Sequence, residues 1–199
     1  MPVLPASLAA GRRARTPHFH GDCDVAAMVY GRDVTPDALL ASFIDDLLGQ
    51  GFDVRGVVQA RPAGDSRRPG GPLFKTIPAS PCEAGPRRDP RAACGTTLPD
   101  IGAWLAAGLR RRPDLVVLNR FGSQELAGSG LVGALAEAIE RDVPVLIAVP
   151  EALFPRWLAL ARGLAVRLAA DRASLDAWWR SLGKAGPQVP DTTFCGRFK

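Results

Sequence analysis

Apolar positions along this chain follow two patterns that alternate. Short, almost continuous apolar runs at 25–30, 115–118 and 143–149 have the length of buried strands. Between such runs, apolar residues recur every three or four positions, as from Leu39 to Leu48, which predicts amphipathic helices. Strands that alternate with helices are typical of a parallel sheet with right-handed crossovers. We therefore predict an α/β fold of three layers, with a mostly parallel sheet and helices on both faces.

Turn and capping residues place the ends of these elements. Thr35 followed by Pro36 predicts the start of the first helix, and Gly49 and Gly51 predict its end. Asp171 or Ser174 is the predicted cap of the last helix. The predicted strands span 25–30, 52–59, 73–77, 114–119, 143–149 and 164–168, and the predicted helices span 36–48, 99–109, 131–139, 154–162 and 174–182.

The length of 199 residues fits one domain with two flanking segments. We expect residues 1–22 to form a flexible basic arm, 23–182 the single α/β domain, and 183–199 a tail along the surface. Within the domain, 60–97 is irregular and rich in arginine, proline and glycine. An irregular segment of that length is usually functional or partly disordered.

Composition narrows the classes of partner. The formal net charge is +5, and Lys75, Lys184 and Lys199 are the only lysines, so the basicity is nearly all arginine. Arginine favours bidentate contacts to oxyanions, although the codon bias of a GC-rich genome explains the composition equally well. No apolar run approaches the ~20 residues of a membrane span. The four cysteines form no C-x-x-C pair and the N-terminus lacks the order of a secretory signal, so a cytoplasmic protein with reduced thiols is expected.

The strand at 114–119 carries the clearest indication of a site. The buried run stops at a polar cluster of Asn119, Arg120, Gln124 and Glu125. In open α/β sheets, ligands bind in the crevice outside the carboxyl ends of the strands. We favour a ligand site here over the alternative that Asn119 and Gln124 satisfy backbone groups of the loop. If the protein is a hydrolase, Glu125 is the candidate base.

The turn after the first strand, residues 30–36, lies where a phosphate-binding loop would lie. Such a loop needs several glycines, a lysine for the terminal phosphates and a hydroxyl for the metal. This turn has Gly31 alone, no lysine, and Thr35 as its only hydroxyl, while Arg32 supplies positive charge. ATP hydrolysis is therefore disfavoured, whereas an anion can still bind at the helix N-terminus. The alternative is an ordinary strand-to-helix turn.

Three further features are weaker candidates. His18, His20 and Cys23 could ligate a metal, but their spacing fits no standard zinc framework. Cys94 precedes a predicted helix whose N-terminus could lower the pKa of its thiol, and an unreactive loop thiol is the favoured alternative. The irregular segment could bind nucleic acid or a protein partner, although its arginines lack the interleaved aromatic residues of a single-strand surface. Those arginines are Arg61, Arg67, Arg68, Arg87, Arg88 and Arg91.

Several of these segments together resemble a known family. Residues 25–32, 56–59, Cys94 with the helix after it, 114–125 and 168–179 resemble an uncharacterised bacterial family of P-loop-NTPase-like proteins found with molybdenum uptake and molybdoenzyme genes. The resemblance extends from residue 25 to about 180, and Asn-Arg-Phe-Gly-x-Gln-Glu is its most specific part. It implies a degenerate relative of small nucleoside triphosphatases, a site at the turns after residues 30, 59 and 119, and a link to molybdate.

The resulting hypothesis is a protein that binds molybdate or tungstate for storage, buffering or sensing, rather than an enzyme. The alternatives are a nucleotide-binding protein or weak phosphohydrolase that uses Mg-nucleotide, and partner binding through the arginine-rich segment. A homo-oligomer is compatible with either, whereas membrane and nucleic-acid partners are disfavoured. The expected ligand-binding residues are Gly31, Arg32, Thr35, Gln59, Asn119, Arg120, Gln124 and Glu125.

Overall fold

A computed structural model describes residues 24–60, 73–78, 98–161 and 165–183. They contain one six-stranded sheet in the order β3-β2-β4-β5-β1-β6. The hairpin partner β3 is antiparallel to β2, and every other neighbouring pair of strands is parallel. The strands are β1 (Val25–Tyr30), β2 (Val54–Ala60), β3 (Leu73–Ile77), β4 (Leu115–Asn119), β5 (Val145–Pro150) and β6 (Ala165–Ala169).

Six α-helices cover the two faces of the sheet in the described part of the chain. They are α1 (Pro36–Gly49), α2 (Leu98–Leu109), α3 (Ser123–Leu126), α4 (Val132–Glu140), α5 (Phe154–Leu160) and α6 (Arg172–Ser181). The predicted three-layer fold with a mostly parallel sheet is confirmed, and it is compatible with the P-loop-NTPase-like class. None of these helices combines the length and apolar character needed to cross a membrane.

The alternation of side chains along the strands divides the apolar interior into two cores. Ala27 and Val29 of β1 face α2, α4 and α5, whereas Ala26 and Met28 face α1 and α6. All six residues of β1 are buried, because β5 pairs with one of its edges and β6 with the other. The central position of β1 explains why its sequence is continuously apolar rather than alternating.

Most element boundaries agree with the sequence patterns, and the differences have local causes. The last helix begins at Arg172, because the side chain of Asp171 accepts a hydrogen bond from the backbone N–H of Ser174 at 2.8 Å. The short helix α3 was not predicted, and it depends on a hydrogen bond from Gly122 N–H to Glu125 rather than on apolar periodicity. The predicted arm, the tail and most of the irregular segment lie outside the described residues.

The connections between strands place a crevice at the carboxyl end of β1. From β1 the chain crosses through α1 to β2, which lies toward one edge of the sheet. From β5, the neighbour of β1, it crosses through α5 to β6, which forms the opposite edge. Neighbouring strands whose crossovers run in opposite directions define the switch point where ligands bind in open α/β sheets. The sheet therefore favours a site beside Tyr30 and Pro150.

Candidate functional site

A cleft of about 700 Å³ opens at this switch point. Its walls come from three segments: the turn from β1 into α1, the residue after β4, and the end of β5. The lining residues are Tyr30, Gly31, Arg32, Asp33, Val34, Thr35, Pro36, Arg120, Pro150, Glu151 and Ala152. Four of the sequence-predicted ligand residues, Gly31, Arg32, Thr35 and Arg120, are thus brought together.

The turn between β1 and α1 is short and mostly exposed. The backbone N–H of Val34 donates to the carbonyl oxygen of Gly31 at 3.3 Å, which closes a tight turn. Thr35 occupies the N-cap position with extended backbone dihedrals, but its side chain makes no capping hydrogen bond. The N-terminus of α1, where the positive end of the helix dipole lies, therefore begins beside the cleft.

Beneath the cleft, Asp37 joins α1 to the end of β4. The side-chain amide of Asn119 donates to Oδ1 of Asp37 at 2.7 Å, and the Arg120 guanidinium lies 3.6 Å from the same oxygen. The Asn119 side chain is completely buried and does not line the cleft, whereas Arg120 does. Asn119 therefore supports the site from below, and Asp37, in the first turn of α1, orients both of its neighbours.

Tyr30 is a buried residue that lines the cleft. The residue is 8% exposed, and the Arg120 guanidinium carbon lies 5.8 Å from the centroid of its ring, within the range of a cation–π contact. Burial raises the pKa of the Tyr30 hydroxyl, an effect that nearby Arg120 opposes and nearby Asp37 reinforces. The phenol is therefore a neutral hydrogen-bond donor at physiological pH.

Among the buried polar atoms of this group, the Tyr30 hydroxyl, Nε of Arg120 and Oδ1 of Asn119 have no hydrogen-bond partner in the part of the chain that the structure describes. Buried polar groups in folded proteins are nearly always hydrogen-bonded, so each exception requires an explanation. Two of the three atoms can donate a hydrogen bond, and both belong to residues that line the cleft. The arrangement is therefore suited to a guest that accepts hydrogen bonds.

The structure assigns Glu125 to the local backbone. Its carboxylate is buried, with Oε2 accepting from Gly122 N–H at 3.0 Å and Oε1 accepting from Leu131 N–H at 3.2 Å. Gln124 is exposed outside the cleft, and its carbonyl oxygen accepts hydrogen bonds from Ser129. These two residues hold the loop between β4 and α4, and they do not meet Arg32.

The remaining sequence-predicted residues lie elsewhere. Gln59 belongs to β2, which β4 and β5 separate from β1, so three strand spacings of about 14 Å in total lie between them. His18, His20, Cys23 and Cys94 lie outside the described residues. Within the described residues, no group of three or more His, Cys, Asp or Glu side chains could hold a metal ion.

Two important residues of the site were missed in the sequence patterns. Tyr30 was treated only as the end of the first strand and the start of the turn after it, and Asp37 was assigned no role. The aromatic residue at the carboxyl end of an apolar strand was the available signal, since that position faces the crevice. Asp37 carried no comparable signal, because acidic residues are common in the first turns of helices.

Comparisons with known proteins agree with this architecture. The model of the family described as "Protein of unknown function (DUF2478)" matches residues 25–178. Among curated proteins, the chain is 35% identical over 163 residues to the molybdenum import ATP-binding protein ModC 2 of Bradyrhizobium diazoefficiens. That match covers 78% of this chain but 18% of the relative, so the chain spans about a fifth of that protein. No solved structure matches significantly. Because the family model covers β1 through most of α6, this chain belongs to the DUF2478 family.

Proposed function

We propose that this protein binds a tetrahedral oxyanion in the cleft at the carboxyl end of β1, with molybdate or tungstate as the ligand, to store, buffer or sense it. The observation that carries the proposal is a pair of buried donors, the Tyr30 hydroxyl and Nε of Arg120, that have no hydrogen-bond partner among the described residues. An oxyanion would accept hydrogen bonds from both donors and would be attracted by the N-terminus of α1.

The charges around the cleft favour an anion, which the protein would bind with modest affinity. Arg32 is exposed and forms no ion pair with any described residue, so its guanidinium is free to approach a ligand. Of the carboxylates in the lining, Glu151 is paired with Arg167 at 3.2 Å, and Asp33 is exposed on the turn beside Arg32. Because these carboxylates limit the positive potential, selectivity for anions would depend mainly on directed hydrogen bonds.

Molybdate is proposed as the ligand because of the name of a curated relative. The curated protein that matches 78% of this chain is named a molybdenum import ATP-binding protein. Molybdate and tungstate are tetrahedral dianions, and their four oxygens can accept hydrogen bonds from Tyr30, Arg32, Arg120 and α1 together. A binding role also fits the position of Glu125, whose two oxygens already accept backbone hydrogen bonds.

A Mg-nucleotide is the second candidate, favoured by the fold and by the ATP-binding name of the relative. Nucleotide hydrolases hold Mg²⁺ with a hydroxyl from the phosphate-binding loop and an acid at the end of a neighbouring strand. Here the strand ends in Asn119, and Arg120 lies 3.6 Å from the nearby Asp37 carboxylate. The Arg120 guanidinium beside this carboxylate would repel a divalent cation that approached it. These residues therefore do not fit the metal, and we propose no hydrolytic step.

Isothermal titration calorimetry with molybdate, tungstate, sulfate and phosphate tests the primary proposal. We expect binding of at least one anion, weakened about tenfold or more in Arg32→Met, because a hydrogen bond to a charged group contributes about 1.5–3 kcal/mol. Arg110→Met, another exposed arginine at the far end of the sheet, is the matched control. Absence of heat with every anion, or equal affinities for wild type and Arg32→Met, would refute the proposal. A thermal shift with Mg-ATP and none with molybdate would favour the second candidate.

A further inference from the structure

Asp37 is a carboxylate that links two separate parts of the proposed oxyanion site. It follows Pro36, which lines the cleft, and its Oδ1 accepts a hydrogen bond of 2.7 Å from the side-chain amide of Asn119 at the end of β4. The same oxygen lies 3.6 Å from Nη2 of Arg120, and no other carboxylate of the described residues pairs with that guanidinium. The Asp37 side chain is 16% exposed, so water and salt screen this contact less than they screen an ion pair on the surface.

Asp37 and Tyr30 together fix the orientation of the Arg120 guanidinium. Asp37 holds its Nη2 edge, and the ring of Tyr30 lies against its face, with 5.8 Å between the guanidinium carbon and the ring centroid. A planar guanidinium that is held at an edge and at a face cannot turn without breaking one of the two contacts. The Nε–H of Arg120, which has no hydrogen-bond partner in the described part of the chain, therefore points in one fixed direction.

The Tyr30 hydroxyl is a second donor whose position is fixed. Tyr30 is the last residue of β1, pairs opposite Pro150 of β5 and is 8% exposed. Burial raises the pKa of this hydroxyl, Arg120 opposes the rise and Asp37 reinforces it, so the phenol keeps its proton at neutral pH. Two donors at a fixed separation favour an anion whose oxygens match that separation, because such an anion binds without rearrangement of the site.

Asp37 also offsets the charge of Arg120. An anion beside Nε would be attracted by the guanidinium and repelled by the neighbouring carboxylate, so the net attraction by charge would be weak. Binding then depends on the match between the oxygens of the anion and the fixed donors, which is a property of shape. Without the carboxylate, the guanidinium would attract every dianion more strongly and would turn to meet it.

We infer that Asp37 is a specificity-determining residue of the proposed oxyanion site, and that it makes the cleft select tetrahedral dianions over planar carboxylates of the same charge. This inference rests on the proposed function and supplies the cause of its selectivity. Asp37 acts through Arg120 without touching the ligand, so it is a positioning residue.

Calorimetric titration of wild type and Asp37→Asn with molybdate, sulfate and oxalate tests this inference. Oxalate is a dianion built from two planar carboxylates, so its comparison with a tetrahedral dianion cancels the effect of charge. We expect the preference for the tetrahedral dianions over oxalate to fall about tenfold in Asp37→Asn. The new side chain keeps its size and an oxygen that accepts from the Asn119 amide, so the link between α1 and β4 is retained.

Asp46→Asn is the matched control, because Asp46 is another aspartate of α1 that pairs with an arginine, Arg172, but lies outside the cleft. Its preference should equal that of wild type. Two results would overturn the inference while leaving the oxyanion site intact: no preference over oxalate in wild type, or the same preference in wild type and Asp37→Asn. Loss of all binding in Asp37→Asn would also overturn it, since the carboxylate would then be required for affinity rather than for selectivity. Failure of wild type to bind any tetrahedral anion would instead overturn the proposed function, and with it the inference.

Discussion

Replacement of Glu125 by alanine tests whether this carboxylate is structural. The substitution removes the acceptor for two backbone donors, Leu131 N–H, which is buried, and Gly122 N–H, which is partly buried. A buried donor left without a partner costs about 1–3 kcal/mol, and the more accessible donor, which water can reach, about 0.5–1.5 kcal/mol. We therefore expect Glu125→Ala to lower the free energy of unfolding by about 1.5–4.5 kcal/mol.

Glu137→Ala is the matched control, because Glu137 is also a helical glutamate but forms a partly exposed pair with Arg141 one turn later. Pairs of that kind contribute about 0.3–0.5 kcal/mol. Urea unfolding followed by circular dichroism measures both variants, with unchanged m-values as the condition for comparing midpoints. If Glu125→Ala loses no more stability than Glu137→Ala, the carboxylate is not required by the backbone, and a role in chemistry becomes open again.

Two further predictions concern the close approach of two strands and the buried phenol of Tyr30. Gly56→Ala should destabilise the protein by about 3 kcal/mol, because a Cβ there would overlap the carbonyl oxygen of Val117 on the neighbouring strand. The control Gly133→Ala, which has open space around it, should stabilise the protein by about 0.5–1 kcal/mol. Thermal denaturation distinguishes the two variants, and a Gly56→Ala variant as stable as wild type would contradict the close approach of the strands. Burial raises the pKa of Tyr30, so the contribution of its neutral phenol to stability is present below the pKa of tyrosine in the unfolded chain and is lost as pH rises through the pKa of the folded state. Urea titrations between about pH 9 and 11 should therefore show a larger loss of stability for wild type than for Tyr30→Phe. Parallel pH profiles of the two proteins would count against a desolvated phenol.

Apolar runs and helical spacing were enough to predict the order of the strands and the longer helices and the mostly parallel sheet. The run at 25–30 was predicted as a buried strand, and the structure places it between β5 and β6 with all its residues buried. Turn chemistry was also informative, since Gly51 adopts a positive φ of 88° after α1 and Asp171 caps α6. These signals are local, and each depends on a few neighbouring residues.

The composition of the site depended on information that local patterns do not contain. Which turns are neighbours follows from the strand order, and that order separates the turn after Gln59 from the one after Tyr30. The direction of Asn119 depends on the period of the strand, which turns its amide toward α1 and Asp37 rather than into the cleft. Glu125 was a candidate base in sequence because the backbone N–H groups of Gly122 and Leu131 reach its carboxylate only in the folded chain.

The division of the interior into two cores also separates the indole rings. The ring of Trp157 packs edge-on against Phe121, the residue that follows Arg120 in the chain, with 5.3 Å between the ring centroids. Trp178 and Trp179 lie in the core on the opposite face of the sheet. Emission from Trp157 therefore reports on packing against Phe121, while emission from Trp178 and Trp179 reports on the core of the opposite face; Trp104 also packs on the first face and would have to be replaced to isolate Trp157. Variants that keep the chromophores of one face alone would give each half of the molecule its own optical signal.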